Sequence, residues 1–247
     1  MKTWKIWKNR SEPYWKINRL YPMKPLGIKI IKVSALFLVL LFSILMLKTI
    51  SQYTSLEKNI GFLAFKQQVV NNPYWMTFFY IHIFSITLCL LAGLTQFSNR
   101  FLTENKNLHK IIGKIYVYNI LIINVPACFV LGLFSNGGII GITGFLIQDV
   151  LWAYFTVAAI LCIKNGNVNA HRMYMILSYA VTTTAITFRI IKNLFYHETR
   201  HDYQLFYGLN VWAALIINLF VAYLIFRKET LLPRKINRRK ENTQTEE

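Results

Sequence analysis

Acidic residues are scarce. The chain of 247 residues sets 10 Asp and Glu against 28 Lys and Arg, so no ring of carboxylates is available to line a cation channel. Cysteine is scarcer still. Cys89, Cys128 and Cys162 all fall inside predicted helices at no paired spacing, which excludes a disulfide framework and a structural zinc site. No CxxCH segment exists, so any haem would be held noncovalently. GxSxG, HExxH, Walker and GxGxxG motifs are missing as well. A cleavable signal peptide is not expected, because the first apolar run begins only after about 30 polar, Trp-rich and Lys-rich residues. That run should stay as an anchor.

What the chain does contain is apolar surface: 55% hydrophobic and 15% aromatic residues, more than one soluble core of this size requires. Runs of some 18 or more apolar residues are long enough to cross the hydrocarbon as helices. Six qualify, at residues 33–51, 74–97, 112–134, 138–163, 173–195 and 204–226. Backbone amides in lipid must be satisfied within each run, so the predicted fold is all-α, a polytopic six-helix membrane protein. The third and fifth runs carry charges, Lys114 in one and Arg189 with Lys192 in the other. Residues 1–32 form a basic Trp/Lys-rich segment, residues 33–226 the membrane domain, and residues 227–247 a basic then polar tail.

The net charge of +18 is decided by its placement. Nine cations precede residue 33 and seven lie between Arg227 and Lys240. Arg100, Lys106 and Lys110 in one loop, with Lys164 and Arg172 in another, fall on the same side when there are six helices. This asymmetry places both termini in the cytoplasm and the protein in the bacterial inner membrane. Anionic lipid headgroups, not nucleic acid, are the expected partner of the basic tails. Trp4, Trp7 and Trp15 interleaved with lysines read either as an interfacial segment or as a disordered basic tail.

Polar residues on the helices are spaced at 7, 11 and 18, which returns a helix to within about 20° of one line. In "HRMYMILSYAVTTTAITFR" that line carries His171, Ser178, Thr182 and Arg189. In "YWMTFFYIHIFSITLCLLAGLTQFSNR" it carries His82, Cys89, Gly93 and Arg100, with Gln96 about 40° away. His109, Gly113 and Tyr116 share a face of the third helix. Such stripes are costly against lipid and should face other helices or a cavity. Arg100, His109, His171 and Arg172 sit at one boundary, where snorkelling to headgroups is the plain reading. His82 is deeper, with Arg189 as its expected neighbour. A neutral His82 that merely fastens two helices is the alternative. Asp149, the one acid deep in a predicted helix, reads as an ion-pair partner before it reads as a proton carrier. The glycines of "SNGGIIGITG" read as a tight turn into the fourth helix.

Two sites follow. His109 and His171 lie at matched depth, as two axial ligands of a noncovalent haem b iron would, with His82 a further cofactor-binding candidate. Alternatively Arg100, Arg172 and His109 face an anionic headgroup or metabolite, with Arg189, Gln96, Tyr116 and Ser178 as further contacts. A structural or accessory role without catalysis is the third reading.

The segments "IHIFSITLCLLAGLTQFSNR", "LHKIIGKIYVY" and "HRMYMILSYAVTTTAITFR" resemble the bacterial membrane family catalogued as domain of unknown function 2306. The resemblance covers about residues 75 to 195. It carries His82, Gly93, Gln96, Phe97, Arg100, His109, Gly113, Tyr116, His171, Arg172, Met175, Ser178, Tyr179, Ala180 and Arg189. Tyr174 stands where the family pattern has Trp, and Leu177 where it has Arg. The missing Arg weakens any mechanism that needs a cationic pair beside Ser178. The resemblance implies a membrane fold and supplies no activity.

Overall fold

The computed structural model describes residues 25–96, 105–195 and 202–231, without the side chains of residues 25–36, 38 and 228–231. Every described element is helical, as the apolar runs require. Helix α1 (Pro25–Ser51) begins in an N-terminal unit, Met1–Leu38, and the body of the protein runs from Val39 onward. The body continues with α2 (Pro73–Gln96), α3 (Lys106–Leu133), α4 (Gly138–Lys164), α5 (Val168–Leu194) and α6 (Tyr203–Leu231). Two short 3₁₀ turns, Gln52–Ser55 and Leu63–Phe65, occupy the α1–α2 connection.

Five of the described helices, α2 to α6, are long and apolar enough to cross a membrane, and Val39–Ser55 is a shorter apolar stretch. Helices α3, α5 and α6 outrun the apolar segments that announce them, because polar residues at a helix end reach the headgroup level without breaking the backbone. The start of α5 is capped by Asn167, whose side chain accepts from the Ala170 amide at 3.1 Å. The predicted glycine turn is present, with Gly137 and Gly138 at φ +93 and +56 where α4 begins. Outward-facing positions are greasy: Ile122, Val150 and Ile216 are 66, 63 and 62% exposed. A water-facing surface would not be built this way, whereas hydrocarbon accepts it.

Helices α4, α5 and α6 pack closely as a group, and α2 lies along α3. Contact between α2 and α5 is thinner, and depends on a missing side chain. The space a Cβ on Gly93 would take is filled by the Tyr179 ring, whose hydroxyl donates to the Leu90 carbonyl at 3.0 Å. Gly93→Ala is expected to displace that ring and destabilise the protein by about 1–3 kcal/mol. Thermal unfolding in detergent checks it, and an unchanged midpoint would disprove the contact.

One core cluster, centred on Cys89, Tyr116, Ile120, Trp152 and Tyr179, holds the middle of the body. A second, of Tyr53, Leu63, Val70, Trp75 and Phe79, closes the end where α1 connects to α2. Its rings interlock, with Trp75 stacked on Phe79 at 5.5 Å and Tyr53 edge-on to Phe79 at 5.3 Å.

Candidate functional site

Between the two clusters lies a cavity of about 520 Å³, lined from both and from α1 to α6. Its exposed lining residues are Thr49, Gln52, Gly61 and Phe65, at the end of α1 and in the α1–α2 connection, and Arg189 near the end of α5, so the mouth is at that end of the body. Distance along the helices gives the depth of each polar group. Lys192 and Arg189 lie two and five residues before the end of α5, about 3 and 8 Å in at the helical rise. His82 is nine residues into α2 and Asp149 eleven into α4, about 14 and 17 Å in. Thr182 and Trp152 close the floor. The cavity is therefore cationic near its mouth and hydrogen-bonding at its base.

Arg189 is exposed and lines the cavity. One guanidinium nitrogen donates to the Ala185 carbonyl at 2.8 Å. Tyr53, Tyr207, His82 and Lys192 are within electrostatic reach. No carboxylate pairs with Arg189 or Lys192 among the described residues. Asp149 was expected in an ion pair and has none among the described residues; it is buried, and its Oδ1 has no hydrogen-bond partner there. The reason is positional. Asp149 lies about 9 Å deeper than Arg189 by helical rise, so the nearest cation of α5 does not reach it.

His82 is held by a residue that regular helical spacing does not place beside it. Midway along α3, Asn119–Asn124 forms a π-helical turn, next to Pro126, whose ring would clash with the Ile122 carbonyl in a regular α-helix. In such a helix Asn119 and Asn124 would point about 140° apart. The wider turn stacks them on one face, both buried. Asn124 Nδ2 donates to Asn119 Oδ1 at 2.5 Å and to Ser85 Oγ at 3.0 Å. With both hydrogens of that amide engaged, Asn124 Oδ1 turns to His82 Nδ1, 2.9 Å away. In the neutral ring Nδ1 therefore carries the hydrogen, and Nε2 is left as the acceptor edge of a cavity residue. Cys128 Sγ is 3.3 Å from the same Nδ1. Because that nitrogen already donates to Asn124, it cannot take the thiol proton, and a Cys–His nucleophile is not formed.

The polar line on α5 faces inward along its length. Tyr116 Oη lies 3.0 Å from Ser178 Oγ and 2.9 Å from Thr182 Oγ1. Trp152 Nε1 donates to Thr182 Oγ1 at 3.0 Å, and Thr156 Oγ1 is 2.8 Å from Ser178 Oγ. The line on α2 meets α3 through His82 and Cys89, and α5 through Gly93.

At the opposite end, His171 Nδ1 donates to the Ala159 carbonyl at 2.8 Å, which leaves Nε2 as its acceptor. His109 Nδ1 is buried without a hydrogen-bond partner among the described residues, and His171 is within electrostatic reach of it. Gln96 Oε1 lies 3.2 Å from where a Cβ on Gly113 would stand, a close contact of α2 with α3. Arg172 stays engaged within the structure. Arg100 and Phe97 lie outside the described residues. Sequence-predicted site residues thus divide between two ends: His82 and Arg189 at the cavity, with Ser178 and Tyr116 beneath it, and His109, His171, Arg172 and Gln96 far from it. Periodicity missed Asn124 and Asn119. It also missed Lys66, which sits in the α1–α2 connection with no helix to index it.

Lys66 is 7% exposed, donates its ammonium to the Phe134 carbonyl, and lies 5.7 Å above the Phe62 ring. Burial lowers its pKa from the ordinary 10.5 to about 8. No group of three or more His, Cys, Asp or Glu arranged for a metal ion occurs among the described residues. Among known families, the one described as "Predicted membrane protein (DUF2306)" matches residues 79–226, which takes in the cavity from Phe79 through α6. No curated protein and no solved structure matches the chain.

Proposed function

Because the chain belongs to the DUF2306 family of predicted membrane proteins, whose description names a location and no chemistry, we propose from the geometry that it binds an amphiphilic anion inside the bilayer. The acidic head would lie at Arg189 and Lys192, and the apolar part against Phe79, Ile83, Ile86 and Val211. One observation carries this reading: the cavity keeps Arg189 and Lys192 without an acidic partner among the described residues. A guanidinium at membrane depth is costly and tends to persist where it serves a ligand. Its planar fork suits a carboxylate or phosphate. The cavity volume is that of a small-molecule site.

Both termini and the two basic loops belong in the cytoplasm of a bacterial inner membrane, so the mouth opens to the outer leaflet. The test is thermal unfolding of nanodisc-embedded protein with a long-chain carboxylate, a lysophosphatidate or a cationic amphiphile of equal chain length. Stabilisation by the acids alone is expected. Equal stabilisation by the cation would refute an anion site.

Lys66 gives the proposal a pH dependence. Below about pH 8 its ammonium is charged and adds to the field at the rim; above that it is neutral while an unfolded lysine stays charged up to about 10.5. Anion affinity is therefore expected to fall as pH rises through about 8. Over the same window the cost of burying the ammonium is relieved and folding stability rises. Lys66→Arg keeps its charge throughout, and His82, Asp149, Arg189 and Lys192 are common to both proteins. Titration calorimetry from pH 7 to 9 separates them, and parallel profiles would exclude Lys66.

A second reading is favoured by the His109–His171 end. A histidine whose Nδ1–H is fixed by a carbonyl presents Nε2 for ligation, and His109 Nδ1 has no partner among the described residues. The two would hold a haem iron noncovalently. Protein expressed with haem supply and showing no Soret band would rule this out.

A further inference from the structure

Polar groups change sense along the cavity. The charged side chains nearest its mouth, Arg189 and Lys192, are donors. Farther in, His82 and Asp149 line it with acceptors, about 6 and 9 Å deeper than Arg189 at the helical rise. His82 Nε2 accepts because Asn124 Oδ1, 2.9 Å from Nδ1, holds the ring hydrogen on the other nitrogen. Asp149 is 5% exposed, has no ion pair among the described residues, and leaves Oδ1 without a hydrogen-bond partner there.

The floor does not satisfy these acceptors from its own stock of donors. Trp152 Nε1 is spent on Thr182 Oγ1 at 3.0 Å, and Thr182 is within 2.9 Å of Tyr116 Oη and 3.1 Å of the Ser178 carbonyl. Gln148, also on the wall, carries an amide that serves either sense. Holding helices together does not account for Asp149, since it fastens none of them. A buried acid that binds nothing at membrane depth is costly and marks a site for something else. A purely hydrocarbon chain laid along this wall would leave His82 and Asp149 facing groups that cannot donate.

We propose that the ligand is a hydroxylated amphiphilic acid, whose hydrocarbon carries a hydroxyl that donates to Asp149, with His82 Nε2 as a second acceptor nearer the mouth. This rests on the anion reading of the cavity and specifies its substrate class. A hydroxyl suits the position better than an ammonium. Arg189 is within electrostatic reach of His82 and repels a second cation, whereas a neutral donor bonds to a carboxylate without opposing that field.

The experiment is titration calorimetry on the full chain in nanodiscs, with empty nanodiscs as the blank and four ligands of one chain length. These are a saturated carboxylic acid, the same acid with one mid-chain hydroxyl, and the primary amides of both. The acid–amide difference reads the mouth, and the hydroxyl difference reads the floor. The hydroxy acid is expected to bind about tenfold tighter than the plain acid, as one hydrogen bond to a charged group gives. A mid-chain methyl ether, which cannot donate, should lose that gain. In Asp149→Leu, which removes an unpartnered acid and is expected to fold, the two acids should bind within about twofold of each other. Arg189→Ala should weaken both acids and keep their ratio. Equal binding of plain and hydroxylated acids overturns the floor site and leaves the anion reading standing, as does a hydroxyl gain that survives in Asp149→Leu. A hydroxyl gain that is the same for amides as for acids, with no acid preference, refutes the anion reading and leaves the floor site. Binding of none of the four refutes both.

Discussion

Arg189→Ala abolishes the response to anionic amphiphiles, with a loss of about 3 kcal/mol, roughly a hundredfold in Kd. A head group that stayed in the cavity would lose both the guanidinium fork and the charge that offsets its own desolvation. Stability without ligand moves the other way or not at all, since the variant no longer holds an uncompensated cation at membrane depth. This opposition is diagnostic. A structural arginine would lower the unfolding midpoint of the empty protein, whereas a ligand-binding one lowers only the increment the ligand adds. Paired melting curves with and without a long-chain carboxylate read both quantities from one preparation. A lower midpoint with an unchanged ligand increment would exclude Arg189 from the site.

Asn124→Leu is the second large effect expected, here on folding. The amide has no exposed surface and is shared among His82, Asn119 and Ser85. A leucine of similar size fills the space but leaves three buried polar groups without their partner. At roughly 1–3 kcal/mol for each group that finds no substitute, the loss is about 3 kcal/mol or more. Asn124→Asp is a sharper comparison. It keeps an acceptor for His82 Nδ1 but offers no hydrogens to Asn119 and Ser85, so it should restore the His82 tautomer while remaining destabilised. Imidazole nitrogen chemical shifts distinguish the tautomers, and an Nε2–H form in the wild type would contradict the assignment.

The spans were legible because lipid leaves a segment few options: long apolar runs must be helices. Their ends were less so, since Lys106, Lys110 and Arg227 lie on helix beyond the apolar stretch. The line from His171 through Ser178 and Thr182 to Arg189 was legible because α5 is regular, and Ser178 and Thr182 at its middle are buried as the 3.6 period demands. Asn124 was hidden by the same arithmetic, because it closes a six-residue turn with a different repeat. Asp149 was visible as a buried acid but not as an unpaired one, since pairing depends on which helices meet at its depth. The cavity itself has no local signature. It results from the thin contact of α2 with α5, a property of packing among distant segments.

Helix α3 changes phase at its π-helical turn. Ahead of that turn its inward face presents Tyr116 to the hydroxyls of α4 and α5; behind it, Asn124 and Cys128 turn to His82 on α2. A uniform helix shows one stripe to its surroundings, so it could serve the buried hydroxyls or the cavity histidine but not both in this register. The slip sits beside Pro126, where a regular ladder would be interrupted in any case. One irregularity of backbone thus lets a single span address two compartments of the protein. Deleting one residue from Asn119–Asn124 would bring the two halves back into phase and disconnect His82 from its partner while leaving the composition of the helix almost untouched.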